Sequence, residues 1–144
     1  MSIIIDILFK QDEGCGMPAW NDYKKMAKER GSLALELYVV ESTLAKTPDE
    51  LQATLPAHLA YQQEQEIAGV LAFAGPLSDP TGELILGTGL IVYRANSMEQ
   101  ARQIADADPM HATGTRSYTL RKWLINEGNV QLNVGLSSNQ VSLK

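Results

Sequence analysis

Apolar and polar positions alternate with two different periods along this chain, and the switches between them mark its elements. Ile3 to Phe9 is a β-branched, strand-like run, followed by a loop holding Gly14 and Gly16. Trp20, Tyr23 and Ala27 then share one helical face, with Met26 beside them, and the helix ends near Gly31. Leu35 to Val40 reads as a strand. Thr47-Pro48-Asp49-Glu50 is a helix start, with Thr47 as cap, Pro48 in the first turn and Glu50 closing a capping box. Leu51, Leu55, Leu59 and Ile67 continue as its apolar stripe, and Gly69 supplies the stop. Val70 to Ala74 is a short apolar strand, ended by Gly75-Pro76. Asp79-Pro80-Thr81-Gly82 has turn composition. Leu84 to Tyr93 is a third strand, in which Gly87 and Gly89 weaken the start or mark a close backbone approach. Ser97 with Gln100 predicts a second capping box, Met98, Ala101, Ile104 and Ala105 form that helix's apolar face, and Pro109 stops it. Ser117 to Ile125 is a fourth strand. Asn126 to Asn129 turns the chain into a last hairpin strand, Val130 to Leu136.

The order strand, helix, strand, strand, helix, strand is a ferredoxin-like α+β plan. It predicts an N-terminal extension over residues 1–31 and one domain over 32–144, with an extra C-terminal strand. Two helices cover one face of such a sheet. The other face needs a cover, which a face-to-face homodimer supplies. The N-terminal segment competes for that role, its helix packing on the main body or on a partner subunit.

Composition narrows the function classes. A chain of 144 residues with 44% hydrophobic content can build one real core. The net charge of -5 argues against nucleic acid as a partner, since phosphate neutralisation needs clustered cations. Lys24, Lys25, Lys28 and Arg30 read as the solvated face of the short helix. The lone Cys15 cannot form an internal disulfide and fits a reducing compartment. The Ile3–Phe9 run is too short to span a membrane and has no basic residue before it to suggest a secretory signal. A cytoplasmic protein without a membrane partner is expected.

The candidate chemistry rests on two histidines, His58 in the long helix and His111 after the Pro109 stop. Histidine titrates near neutral pH, and a carboxylate such as Asp108 can tune it. His58 lies on the edge of the stripe facing the sheet. It reads either as a half-buried histidine bonded to a carbonyl or as a proton-transfer group. Asp108 is either a turn aspartate or the carboxylate that orients a histidine. His111 can join Asp108 across the turn or sit on a substrate-binding rim. Gly75-Pro76 is a strand-ending turn or a pocket floor. Trp123 and Tyr118 point to opposite faces of their strand, and Trp123 reads as dimer core or as a substrate platform. Spacing among His58, Asp108 and His111 matches no metal signature. Ser42, Ser97 and Ser117 lack a nucleophile-elbow context, and no phosphate loop is present.

From about Leu35 to Trp123 the chain resembles the YCII-related (YciI-like) proteins. The stretches that carry the resemblance are Pro56-Ala57-His58-Leu59-Ala60-Tyr61, Gly69 to Leu77, Ala107-Asp108-Pro109-Met110-His111-Ala112-Thr113-Gly114, and Arg121 to Gly128. The resemblance implies a ferredoxin-like fold dimerising through its sheet, and a site containing His58 and Asp108. It also implies cofactor-free isomerase or elimination chemistry on a small, often aromatic-derived substrate. Many members carry an arginine three residues before the helix histidine. Here that position is Leu55, so an anion-binding role there does not transfer. The expected function is thus acid–base catalysis on a small-molecule ligand without cofactor or metal, with His58 and Asp108 as catalytic residues and His111, Gly75 and Pro76 binding substrate. The alternative is a dimeric module that binds a small molecule, or assists another protein, without catalysis.

Overall fold

The first turn of the long helix is set by Thr47. Its hydroxyl accepts from the Glu50 backbone N–H at 3.2 Å, and the Glu50 carboxylate accepts from the Thr47 N–H at 3.0 Å. This is the capping box expected from the sequence. In the computed structural model, which describes residues 16–144, the elements run α1 (Trp20–Glu29), β1 (Leu35–Leu44), α2 (Pro48–Ile67), β2 (Leu71–Ser78), β3 (Ile85–Tyr93), α3 (Met98–Ala107), α4 (Pro109–Ala112), β4 (Arg116–Ile125), β5 (Leu132–Val134) and β6 (Val141–Leu143). The Ile3–Phe9 run and Cys15 lie outside the described residues. Among the described residues, no helix is long and apolar enough to cross a membrane.

The chain divides into two compact units. In Glu36–Trp123, the strand order is β2-β3-β1-β4, with β3 antiparallel to both β1 and β2. The βα-unit β1–α2–β2 is therefore split by β3, which is the ferredoxin-like α+β arrangement the sequence order predicts. Val40 and Ile91 are directly paired, as are Tyr38 and Tyr93. Val40, Ile91 and Tyr93 form the core with Ala105 of α3, and Ile104, Tyr118 and Leu120 pack around them. Small residues at Ala101 and Ala105 are both fully buried, which lets α3 lie close on the sheet.

The second unit comprises residues 16–35 with Leu124–Lys144. In it α1 buries Ala27, the Leu33 N–H donates to the Asn126 carbonyl at 3.1 Å, and Asn126 Nδ2 donates to the Tyr23 hydroxyl at 3.2 Å.

Four expectations change on meeting the structure. The buried stripe of α2 holds only in part: Leu51 and Leu55 are half-buried, but Leu59 is 57% and Ile67 80% exposed, while His58, Tyr61 and Gln62 turn inward. Polar side chains with internal partners take the places expected of Leu59 and Ile67. Gly75-Pro76 does not end β2, which continues through Pro76↔Gly89 to Ser78↔Ile85 with an irregularity after Pro76. An edge strand can lack one N–H there. A Cβ on Gly89 would lie 3.0 Å from the Gly75 carbonyl, so the close-approach reading of Gly89 holds. Ser97 accepts from the Gln100 N–H, but Gln100 Oε1 reaches back one residue further, to the Asn96 N–H, so the second capping box is only half formed. The last strand does not form a hairpin with β4; β5 pairs with β6 in a separate two-stranded sheet.

Candidate functional site

Asp108 owes its position to Pro109. The proline lacks the N–H needed to extend α3 and suits the first position of the next turn, so the chain breaks between them and α4 begins. Asp108 is the residue at the break. Its Oδ1 caps α4 by accepting from the Met110 N–H at 2.9 Å. The side chain is fully buried, at 0% exposure.

Such a burial needs partners, and α2 supplies them. His58 Nδ1 lies 2.8 Å from Oδ1 and 2.9 Å from Oδ2. Gln62, one helical turn further, donates from Nε2 to Oδ2 at 2.9 Å and contacts the Tyr93 hydroxyl at 3.0 Å. The i, i+4 spacing puts His58 and Gln62 on one face, aimed at the same carboxylate. Burial pushes the Asp108 carboxyl up, but the hydrogen bonds from His58 and Met110 and the proximity of His58 and His111 outweigh it. The group stays below its ordinary range.

An ionised carboxylate only accepts. The hydrogen of a neutral His58 ring therefore sits on Nδ1, and its lone pair sits on Nε2. His58 is 20% exposed and lines a cavity of about 380 Å³, while Nε2 makes no hydrogen bond among the described residues. Gly75, Pro76, Leu51, Leu55 and Arg116 also line that cavity. Burial raises Tyr93, whose hydroxyl stays protonated behind Gln62.

The sequence-predicted residues thus separate. His58 and Asp108 meet directly; Gly75 and Pro76 line the same cavity as His58. His111 does not line it: Nδ1 donates to the Ala105 carbonyl at 2.7 Å and Nε2 meets the Ser42 hydroxyl at 2.9 Å. Its ring also lies 4.6 Å from that of Tyr118. Sequence reading missed Gln62, Ser42 and Arg116. Gln62 had a signal, its place four residues after His58. Arg116 had only the alternation that puts it with Tyr118 and Leu120 on the helix side of β4. Among the described residues, no three His, Cys, Asp or Glu side chains are grouped to hold a metal ion.

Because the folded-state Asp108 carboxyl is held below its unfolded value, its contribution to stability is complete above roughly pH 4. It is lost as pH falls through the lower folded-state value. Acid unfolding of the wild type and Asp108→Asn measures this. The variant is expected to show a shallower loss of stability below about pH 4; identical curves would remove Asp108 from the acid transition.

Comparison with known proteins adds three findings. The family model of the YCII-related domain matches residues 32–124. The uncharacterized protein YjpA of Bacillus subtilis (strain 168) is 32% identical over 72 residues, covering 50% of this chain and 78% of that protein. Among solved structures, the chain is similar to 5-chloro-2-hydroxyhydroquinone dehydrochlorinase (TftG) from Burkholderia phenoliruptrix AC1100, solved in complex with 2,5-dihydroxybenzoquinone. The identity is 18% and the TM-score 0.48, covering 60% of this chain and 92% of that one.

Proposed function

This chain belongs to the YCII-related family, and from that premise we propose that it is a cofactor-free acid–base enzyme, of isomerase or lyase type, acting on a small organic metabolite. The observation that carries the reading is the His58–Asp108 pair, buried on the carboxylate side, with His58 lining a cavity and its Nε2 left without a hydrogen bond among the described residues. Nε2 takes a proton from the bound molecule. The resulting imidazolium is stabilised by Asp108, which is already desolvated and so reorganises little. The same nitrogen then returns the proton to another atom of the substrate or to a leaving group. Gly75 and Pro76 shape the cavity, and Gln62 holds Asp108 in register.

The test is incubation of the protein with small metabolites in D₂O, read by mass spectrometry for conversion or deuterium incorporation. Conversion by the wild type and its loss in His58→Ala are expected. Turnover unchanged in that variant sinks the assignment. The largely apolar lining favours a second reading, capture without chemistry; a ligand that co-purifies and is never converted supports it.

The protein is further proposed to act as a cytoplasmic homodimer. Phe73, Leu77 and Leu86 on β2 and β3 are large, apolar and exposed, a pattern that a partner subunit relieves. Light scattering is expected to report twice the 15.8 kDa of one chain. A mass of one chain at working concentration refutes the dimer. The lone Cys15 supports the reducing compartment.

A further inference from the structure

Among the described residues, Arg116 is the one cavity-lining residue with a permanent positive charge, and none of its hydrogen-bond acceptors carries a charge. Nε donates to the Ser42 hydroxyl at 2.8 Å; Nη2 donates to the Ser42 carbonyl at 2.8 Å and the Gly87 carbonyl at 2.6 Å. All three acceptors are neutral. No carboxylate among the described residues lies within ion-pair distance of it. Asp108 is already taken by His58, Gln62 and Met110. Burial pushes the guanidinium's pKa down and the field of Asp108 pushes it up, but an arginine remains charged in either case.

The hydrogen-bond count shows what is left over. Nε and Nη2 are spent on β1 and β3, so the usual two-nitrogen fork is closed. Nη1 has no acceptor among the described residues, and the side chain faces a cavity otherwise lined by groups such as Leu51, Leu55, Leu90 and Met110. A half-buried cation with no carboxylate in direct contact is costly, and an anion placed there recovers part of that cost.

We propose that Arg116 is an anion anchor, and that the cavity takes a small organic anion with an apolar body, one anionic oxygen of which accepts hydrogen bonds from Nη1. The inference rests on the acid–base reading for the reaction but not for the binding. Held at one end by Arg116, the molecule presents its reacting atoms to His58 Nε2. The single free nitrogen sets the chemistry: one anionic oxygen is bound end-on, from a carboxylate, phenolate or enolate. Neutral molecules of the same shape are selected against.

Calorimetric titration with benzoate and with benzamide, which match in size and differ in charge, tests this. The wild type is expected to bind benzoate more tightly, with a gap that shrinks as salt rises. Arg116→Met is expected to weaken benzoate roughly tenfold to hundredfold and leave benzamide unchanged. Arg116→Lys keeps part of the preference. His58→Gln keeps the gap, which excludes a charged His58 as its source. Equal binding of the two probes by the wild type, no binding of benzoate at millimolar concentration, or a gap that vanishes in His58→Gln and survives Arg116→Met overturns the proposal. Because Arg116 also ties two strands, circular dichroism checks the folding of Arg116→Met; where that variant does not fold, the wild-type probe pair, its salt dependence and Arg116→Lys decide. None of these outcomes touches the His58–Asp108 reading, which is tested by conversion and by its loss with His58.

Discussion

Asp108→Asn is expected to lower turnover about 10²–10⁴-fold while the protein still folds. The carboxylate accepts three hydrogen bonds, from His58, Gln62 and the Met110 N–H. An asparagine offers one oxygen and one N–H₂ in the same space, so at least one of those donors would face another donor. Gln62 has an escape. Its Oε1 is buried and has no hydrogen-bond partner among the described residues, and a flip of the amide turns it toward the new N–H₂. His58 is also able to adapt, but only by moving its hydrogen from Nδ1 to Nε2, and that removes the lone pair facing the cavity. Whichever group adapts, the negative charge that stabilises the imidazolium is gone, and turnover falls for that reason. His58→Ala is expected to lose the same 10²–10⁴-fold in turnover. The pair acts as one unit, so the double variant should be little worse than either single one. Product formation by mass spectrometry, alongside thermal unfolding, separates the two effects. A double variant that loses the product of the two single effects would mean that they act independently.

Tyr93→Ala is expected to destabilise the fold by about 3–5 kcal/mol, the range for truncating a large core aromatic. Tyr93 is fully buried at the centre of the core, with Val40, Ile91 and Ala105 around it, and its hydroxyl reaches Gln62 behind the site. Tyr93→Phe retains the ring and loses one hydrogen bond, for about 1 kcal/mol. Denaturant unfolding gives both values. If the phenylalanine variant lost as much as the alanine one, the hydroxyl contact and not the ring would hold this region together. The comparison matters for function because Gln62 links the core to Asp108; Tyr93→Phe is expected to leave turnover within a few-fold of wild type while Gln62 keeps its bond to the carboxylate.

Much of this arrangement could be read locally. The capping box at Thr47, the helix end at Gly69 and the break at Asp108-Pro109 are short-range chemistry, and all three stand as expected. At the α2 end, the Gly69 N–H bonds the Glu66 carbonyl and the Val70 N–H bonds the Gln65 carbonyl, which closes the helix within six residues. The stripe of α2 was misread because periodicity weighs hydrophobicity alone. Leu59 and Ile67 look like core residues until His58 and Gln62 are seen to have internal partners that offset the cost of their burial. Gly75-Pro76 was misread as a stop because nothing local shows that β2 would be an edge strand.

What the sequence by itself determined is the order of the elements from α1 to β4, apart from the short α4, together with the family and the presence of a histidine and an aspartate at fitting places. These depend on the nearest few residues, through caps, turns and periodicity. Tertiary structure decided which side chains share a site. His58 and Asp108 are 50 residues apart, and Arg116 meets Ser42 from 74 residues away. Only the packing of α2 and the strand order β2-β3-β1-β4 bring them together. The same packing took His111 out of the cavity, by giving both ring nitrogens partners elsewhere, and put Arg116 in its wall.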